Sequence, residues 1–408
     1  METRIATPLG LLALISLLWL TTIAKPAMSA TATHSQVSAL ASRLVNQVVQ
    51  AKQGQVYEVV SSPQNLELLE DVWADLHKVG AWSVVRLVSD RMTRLYYQEV
   101  PTRFDAEPQA SALGLYQFIS GEINIDYESD PGLFDNVPPS RLTAQQQANN
   151  VSTKDMLARS IPFIEVGNGL YPSKYTAEQF GITLSQLSGL FWNGVNADPA
   201  AIQSTGELIK SSLGSGSIVH ITAPNGTDVT FRSAEHTVVI NDGTISAAAR
   251  KKGGAALNVS LPAGDVTLVP IAGSAKGTVV FGPVYVNSTK VKGLTFHLAG
   301  GKLTSWTASS GRDVVDGYYK TGGTGKDDFT FADIGANPNI HYIEGTALNA
   351  SMASGMVSLG VGNNLSIGGT NSSLFSAGGY VPDATVTIGG KTVVSGGRFV
   401  SGAHVRAP

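Results

Sequence analysis

The sequence predicts an α/β protein: an N-terminal, helix-covered and mostly parallel sheet domain, followed by a β-rich C-terminal domain. Three observations carry that expectation. The first half alternates helix-period and strand-period apolar runs with short connections, the order that produces parallel sheets. After Ser217 the texture changes to β-branched runs separated by glycine turns. A chain of 408 residues, 43% hydrophobic and only 14% charged, is long enough for two cores.

Taken in order, residues 1–32 read as a cleaved signal peptide. Arg4 precedes a largely apolar stretch over 11–23, and AKPAMSATAT supplies small residues for a cut after Ala30 or Ala32. The stretch is short for a membrane span, which needs about 20 apolar residues. The expected location is therefore periplasmic or secreted, with no membrane association after cleavage. The α/β domain should cover 33–215. Val37, Leu40, Leu44, Val45 and Val48 share one helical face. QVYEVVSS reads as a strand, and Ser62 before Pro63 starts a second helix carrying Leu66, Leu68, Leu69, Val72 and Leu76. Gly80 stops that helix before the strand AWSVVRLVS. INIDYES and IPFIEVG are further strands, with a helix between them over 138–160. The β-rich domain, 216–408, contains SIVHITAP, DVTFRS, HTVVIND, VTLVPIAG, GTVVFGPVYV, LTFHLAGGKLTSW and ATVTIGGKTVVSGGRFV, with few helices expected.

Much chemistry is excluded. There is no cysteine, so disulfides, thiolate metal sites and cysteine nucleophiles are ruled out. A net charge of -3 lacks the basic face that nucleic acid requires. No G-x-S-x-G elbow and no H-E-x-x-H pair occurs. TGGTGKDD departs from a phosphate loop at two positions, since Lys320 replaces the first glycine and Asp327 the hydroxyl residue. None of the seven histidines stands at tight ligand spacing from another.

Several stretches together resemble the thermophilic metallo-aminopeptidase family, the aminopeptidase T type. They are GLYPSKYTAEQFGITLSQL, NGTDVTF, NVSLPAGDVTLVP, FADIGANPN, GMVSLGVGNN and GGTNSS, in the family's order and spacing over nearly the whole mature chain. The resemblance implies the two-domain α/β and β architecture, a homodimer, peptides as substrates, and two divalent ions (zinc, cobalt or manganese). Such ions activate a water and polarise the peptide carbonyl. By the same resemblance Asp265 and Asp333 stand at two glutamate ligand positions, with Asp333 the residue nearest to a general base. The next glutamate and histidine fall on Ser351 and Met356, and a family tyrosine on Asn363. The last histidine and aspartate fall on Ser376 and Gly378 without gaps, or on Val381 and Asp383 with a short insertion. The metal set carried over is thus Asp265, Asp333 and Asp383, without either histidine. A serine and a thioether do not replace a carboxylate and an imidazole for hard divalent ions.

Two functions follow. One is metal-dependent removal of N-terminal residues from peptides, weakened or lost. The other is a non-catalytic homologue, a pseudoenzyme that binds a peptide or partner. A rebuilt site using His341 and Glu344 would require His341 to converge on Asp265 and Asp333. Without the resemblance, all three aspartates read as ordinary turn or capping residues.

Overall fold

A computed structural model of the chain describes residues 32–126, 130, 132–286, 289–348 and 350–400. The expected signal peptide lies outside the described residues, apart from Ala32. No helix among them is long and apolar enough to cross a membrane.

Thr33 caps α1 (His34–Arg43), with Gln36 completing a reciprocal capping box. The helix runs on through a single π-turn over Leu44–Val48. Its five expected apolar residues are all buried. The chain then builds β1 (Val56–Ser61), α2 (Leu66–Lys78) and β2 (Trp82–Leu87). Gly80 ends α2 at φ 75°, a left-handed conformation that glycine adopts without penalty. Next come α3 (Asp90–Glu99), α4 (Ala110–Leu115), β3 (Gly121–Ile125), α5 (Pro139–Ala158) and β4 (Phe163–Val166). Three further helices, α6 (Lys174–Phe180), α7 (Leu184–Val195) and α8 (Pro199–Leu213), are each started by a side-chain cap, from Ser173, Thr183 and Asp198.

The expected division near Ser215 falls in the turn between α8 and β5 (Ser217–Thr222). After β6 (Asp228–Ser233), β7 (Val238–Ile240) and α9 (Ala247–Lys252), the chain returns to the first sheet. There β8 (Asn258–Leu261) pairs in parallel with β4, giving the order β2-β1-β3-β4-β8 with every pairing parallel. Only Pro262, Ala263 and Gly264 separate β8 from β9 (Asp265–Leu268), which belongs to a different, antiparallel sheet. The quoted stretch NVSLPAGDVTLVP thus contributes one strand to each of two sheets.

The remaining strands are β10 (Lys276–Val280), β11 (Val284–Val286), β12 (Thr289–Val291), β13 (Thr295–Ala299), β14 (Lys302–Thr307), β15 (Phe329–Gly335), β16 (Val357–Gly362), β17 (Ser376–Val381), β18 (Thr385–Ile388), β19 (Lys391–Ser395) and β20 (Arg398–Phe399), with α10 (Arg312–Thr321) inserted before β15. They form an eight-stranded sheet, β14-β13-β10-β6-β5-β18-β19-β20, a short β11-β12 ribbon, and a five-stranded sheet, β17-β16-β15-β9-β7. The mixed architecture agrees with the expected fold class. One apolar cluster runs from Val37 on α1 through Ile164 on β4 to Val394 on β19, so the core is continuous across both halves.

Candidate functional site

The five-stranded antiparallel sheet brings Asp265 and Asp333 together. Asp333 on β15 is in register with Thr267 on β9, and Gly335 with Asp265. The two aspartates therefore project from the same face of neighbouring strands as a diagonal pair, about 7–8 Å apart by standard sheet geometry. Both are half-buried. The Thr267 hydroxyl donates to Asp333 Oδ1. Burial, and then the negative charge of Asp265, push the Asp333 carboxyl up to about 7.

Asp265 is held by amides and a hydroxyl. Asn168 Nδ2 donates to its Oδ2 at 2.9 Å, Asn241 Nδ2 donates to the same oxygen at 3.4 Å, and the Ser351 hydroxyl donates as well. Burial raises its pKa, and these three donors partly offset that rise by favouring the ionised form. Asn168 comes from the loop after β4, where Gly167, Asn168 and Gly169 all have positive φ. That backbone turns the amide toward both Pro262 O, at 2.9 Å, and Asp265. Asn241 follows β7, and its amide also pairs with the backbone of Ser260 on β8.

Two more acids extend the series into the parallel sheet. Glu165 on β4 accepts from Ser260 Oγ at 3.2 Å, and its pKa is raised by burial and by Asp265. Asp126, just past β3, is pushed to about 7 by burial and by Glu165, against the pull of the Gly169 N–H. Sequence reasoning missed Asp126, Glu165, Asn168 and Asn241. Of these only Asn168 carried a signal, as the middle residue of a Gly-Asn-Gly loop after an apolar strand.

The other positions carried over by resemblance disperse, apart from Ser351. Ser351 touches Asp265. Met356 is buried and lines a 440 Å³ cleft. Asp383 stands exposed in the turn after β17, at φ 52°, and lines that same cleft with His341, Glu344 and Arg398. His341 and Glu344 are thus gathered with Asp383. Asn363 donates to Asn150 on α5 and to Ser373 O, tying the second half to the first. Ser376 and Gly378 line a 480 Å³ groove walled by Val284, Tyr285, Val315, Tyr318 and Phe375.

The residues present do not fit a dinuclear metal centre. Asp265 Oδ2 and Asp333 Oδ1 each meet N–H or O–H donors, which present hydrogens where a cation would need lone pairs. Elsewhere on this sheet the packing is tight: a side-chain Cβ at Gly360 would lie 2.3 Å from the Phe331 ring. A Cβ at Gly378, the ungapped aspartate position, would lie 2.2 Å from Leu359 O. Among the described residues no group of three or more His, Cys, Asp or Glu side chains could hold a metal ion.

No family model matches this sequence, and no curated protein matches it. Solved structures do match. The fold is similar to that of wild-type AmpT from Thermus thermophilus. The two superpose with a TM-score of 0.66 at 16% identity, over 90% of this chain and all of that one. A 2,5-dihydroxypyridine dioxygenase from Pseudomonas putida KT2440 is also similar, with a TM-score of 0.58 at 11% identity, over 91% of this chain and 99% of that one. At these identities the likeness is one of fold, and it agrees with the architecture the sequence motifs imply. One fold carrying a peptidase-type name and a dioxygenase shows that function must be argued from the site.

Proposed function

We propose that this chain is an exported, non-catalytic relative of the aminopeptidase T type that binds peptides instead of cleaving them. The observation that supports this reading is the hydrogen-bonded cluster around the two aspartates: Asn168, Asn241 and Ser351 on Asp265, and Thr267 on Asp333. In such a cluster Asp265 braces the start of β9 against the β4 loop. The groove beside Ser376 and Gly378 is the binding surface in this reading, because its apolar and aromatic walls suit a peptide side chain.

The test is elemental analysis of the purified mature chain, together with N-terminal residue release in added cobalt, zinc or manganese. The expected result is substoichiometric metal and no turnover, with peptide binding by calorimetry that Tyr285→Ala weakens. Stoichiometric metal with turnover abolished by Asp333→Ala would establish the peptidase instead.

A further inference from the structure

A cleft of 740 Å³ shares Asn241 with the aspartate cluster and no residue with the groove at Ser376. Two sheets end in it. β7 is the terminal strand of the antiparallel sheet and pairs with β9 alone, and β8 is the terminal strand of the parallel sheet. The Asn241 side chain bridges the two at Ser260. Beyond that bridge the cleft runs between Val238–Ile240 on one side and Asn258 and Val259 on the other.

Strand alternation leaves part of the β7 edge unused. The Asn241 N–H donates to Asp265 O at 2.9 Å, so positions 239 and 241 turn their backbone groups toward β9. The N–H and C=O of Ile240 and the C=O of Val238 turn the other way, while the Val238 N–H is taken by Glu235 O. The edge is firmly seated on α8: a Cβ at Gly206 would lie 2.8 Å from the Ile240 side chain. Ala248, Ala249, Ala255 and Ala256 line the cleft with methyl groups alone, too short to fill it.

The acids of the cleft are already matched. Glu207 accepts from Lys210 Nζ at 3.2 Å and from Gln203 Nε2 at 3.0 Å. Asp242 accepts from the N–H and hydroxyl of Thr244, both at 2.8 Å, and interacts with the charge of the half-buried Arg43. The Lys252 ammonium and the His236 ring, by contrast, have no partner among the described residues. Lys252 also follows Arg250 and Lys251 at the end of α9, so the charge left over at this rim is positive.

A free strand edge is matched by another strand, whose backbone satisfies its N–H and C=O groups, and a positive rim selects a negative partner. We infer that the cleft takes an acidic peptide segment in extended form, which adds to the edge of β7 with its carboxylates toward Lys252. This goes beyond the groove proposed at Ser376 and does not depend on it.

The probe is a fluorescein-labelled heptapeptide alternating valine and glutamate, which makes one face of the strand apolar and the other acidic. Its binding to the mature chain is read by fluorescence anisotropy. Companion probes carry lysine for glutamate, or N-methyl groups on every second backbone amide in either phase. The expected result is saturable binding of the acidic probe that weakens with added salt, no binding of the lysine probe, and loss of binding in at least one N-methyl phase. Lys252→Glu should weaken the acidic probe roughly tenfold, and Ala248→Trp should abolish its binding. Tyr285→Ala, which tests the other groove, should leave it unchanged, so the two readings fail separately. No binding of the acidic probe overturns the inference, as does equal binding of the lysine probe, indifference to both N-methyl phases, or loss in Tyr285→Ala. A dimer of the unsubstituted chain that Ala248→Trp dissolves would give the edge to a second copy and overturn it too. Should Ala248→Trp fail to fold by circular dichroism, Lys252→Glu and the N-methyl probes decide.

Discussion

The parallel sheet ends differently on its two sides. At β8 the outer edge is occupied by a side chain: Asn241 donates its amide to Ser260 O at 3.0 Å, and its carbonyl accepts from Ser260 N at 3.4 Å, so one residue mimics a neighbouring strand. The same amide reaches Asp265, and the chain then leaves directly for the next sheet. At β2 no such amide covers the strand among the described residues; Trp82, Val85 and Leu87 are exposed along it, and Arg86 reaches back to Glu58 at 2.7 Å and to Glu122 at 3.7 Å. A sheet edge can thus be closed from within by one well-placed amide or left uncovered. Acids lie toward both sides: Glu165, Asp265 and Asp333 near the closed edge, and the buried Glu58 and Glu122 beneath Arg86 near the open one.

Breaking the closed edge should have the largest effect. Asn241→Ala removes both Ser260 hydrogen bonds and one Asp265 donor at once, and should lower stability by about 3 kcal/mol in urea unfolding. Asp265→Ala should cost a similar amount, because Asn168, Asn241 and Ser351 then lose a buried acceptor. Asp265→Asn keeps one acceptor oxygen and should cost about 1 kcal/mol.

The pH profile sharpens the same contrast. Asp333, Asp126 and Glu122 titrate near 7 in the folded chain, each mainly because of burial. In the unfolded chain such carboxyls titrate near pH 4. Between those values the folded state holds protons that the unfolded state has released, so stability falls as pH rises through the window. Each such carboxyl should contribute a loss on the order of 2–3 kcal/mol between about pH 5 and about pH 8. Asp333→Asn should flatten the curve and raise stability at about pH 8. A curve that rises with pH would show these carboxyls to be ionised in the folded protein.

At the open edge, Val85→Glu should change stability by less than about 1 kcal/mol, as expected for an exposed position. The smallest effects belong outside the sheet. Asp383→Ala should stay within about 0.5 kcal/mol. Excess chelator should leave the thermal midpoint unmoved, since a bound metal would add its binding free energy to stability.

The sequence made the local elements readable. The buried face of α1, the Ser62-Pro63 start before α2, the Gly80 stop and the strand β2 all follow from spacing and backbone preference, which are properties of neighbouring residues. Of the apolar residues read on α2, Leu68, Leu69, Val72 and Leu76 are buried, while Leu66 at the helix's first position is 41% exposed. Helices α6, α7 and α8 went unread although Ser173, Thr183 with Gln186, and Asp198 before Pro199 are capping signals. The return of β8 to the first sheet could not be read, because four residues, NVSL, specify a strand but not its partner. The aspartates at the site were legible through the resemblance alone. Their actual partners, Asn168 and Asn241, are loop amides, and a loop amide carries no period and no charge.

The three-residue passage from β8 to β9 has a consequence for how the molecule can be divided. Cutting the chain at 215 would take the fifth strand from the parallel sheet and strip Ile164 and Val166 of the neighbour that covers them. The N-terminal piece would then carry two unguarded edges and would clump before it could be purified. With the β4–β8 pairing and the apolar core shared, the two halves are expected to unfold together.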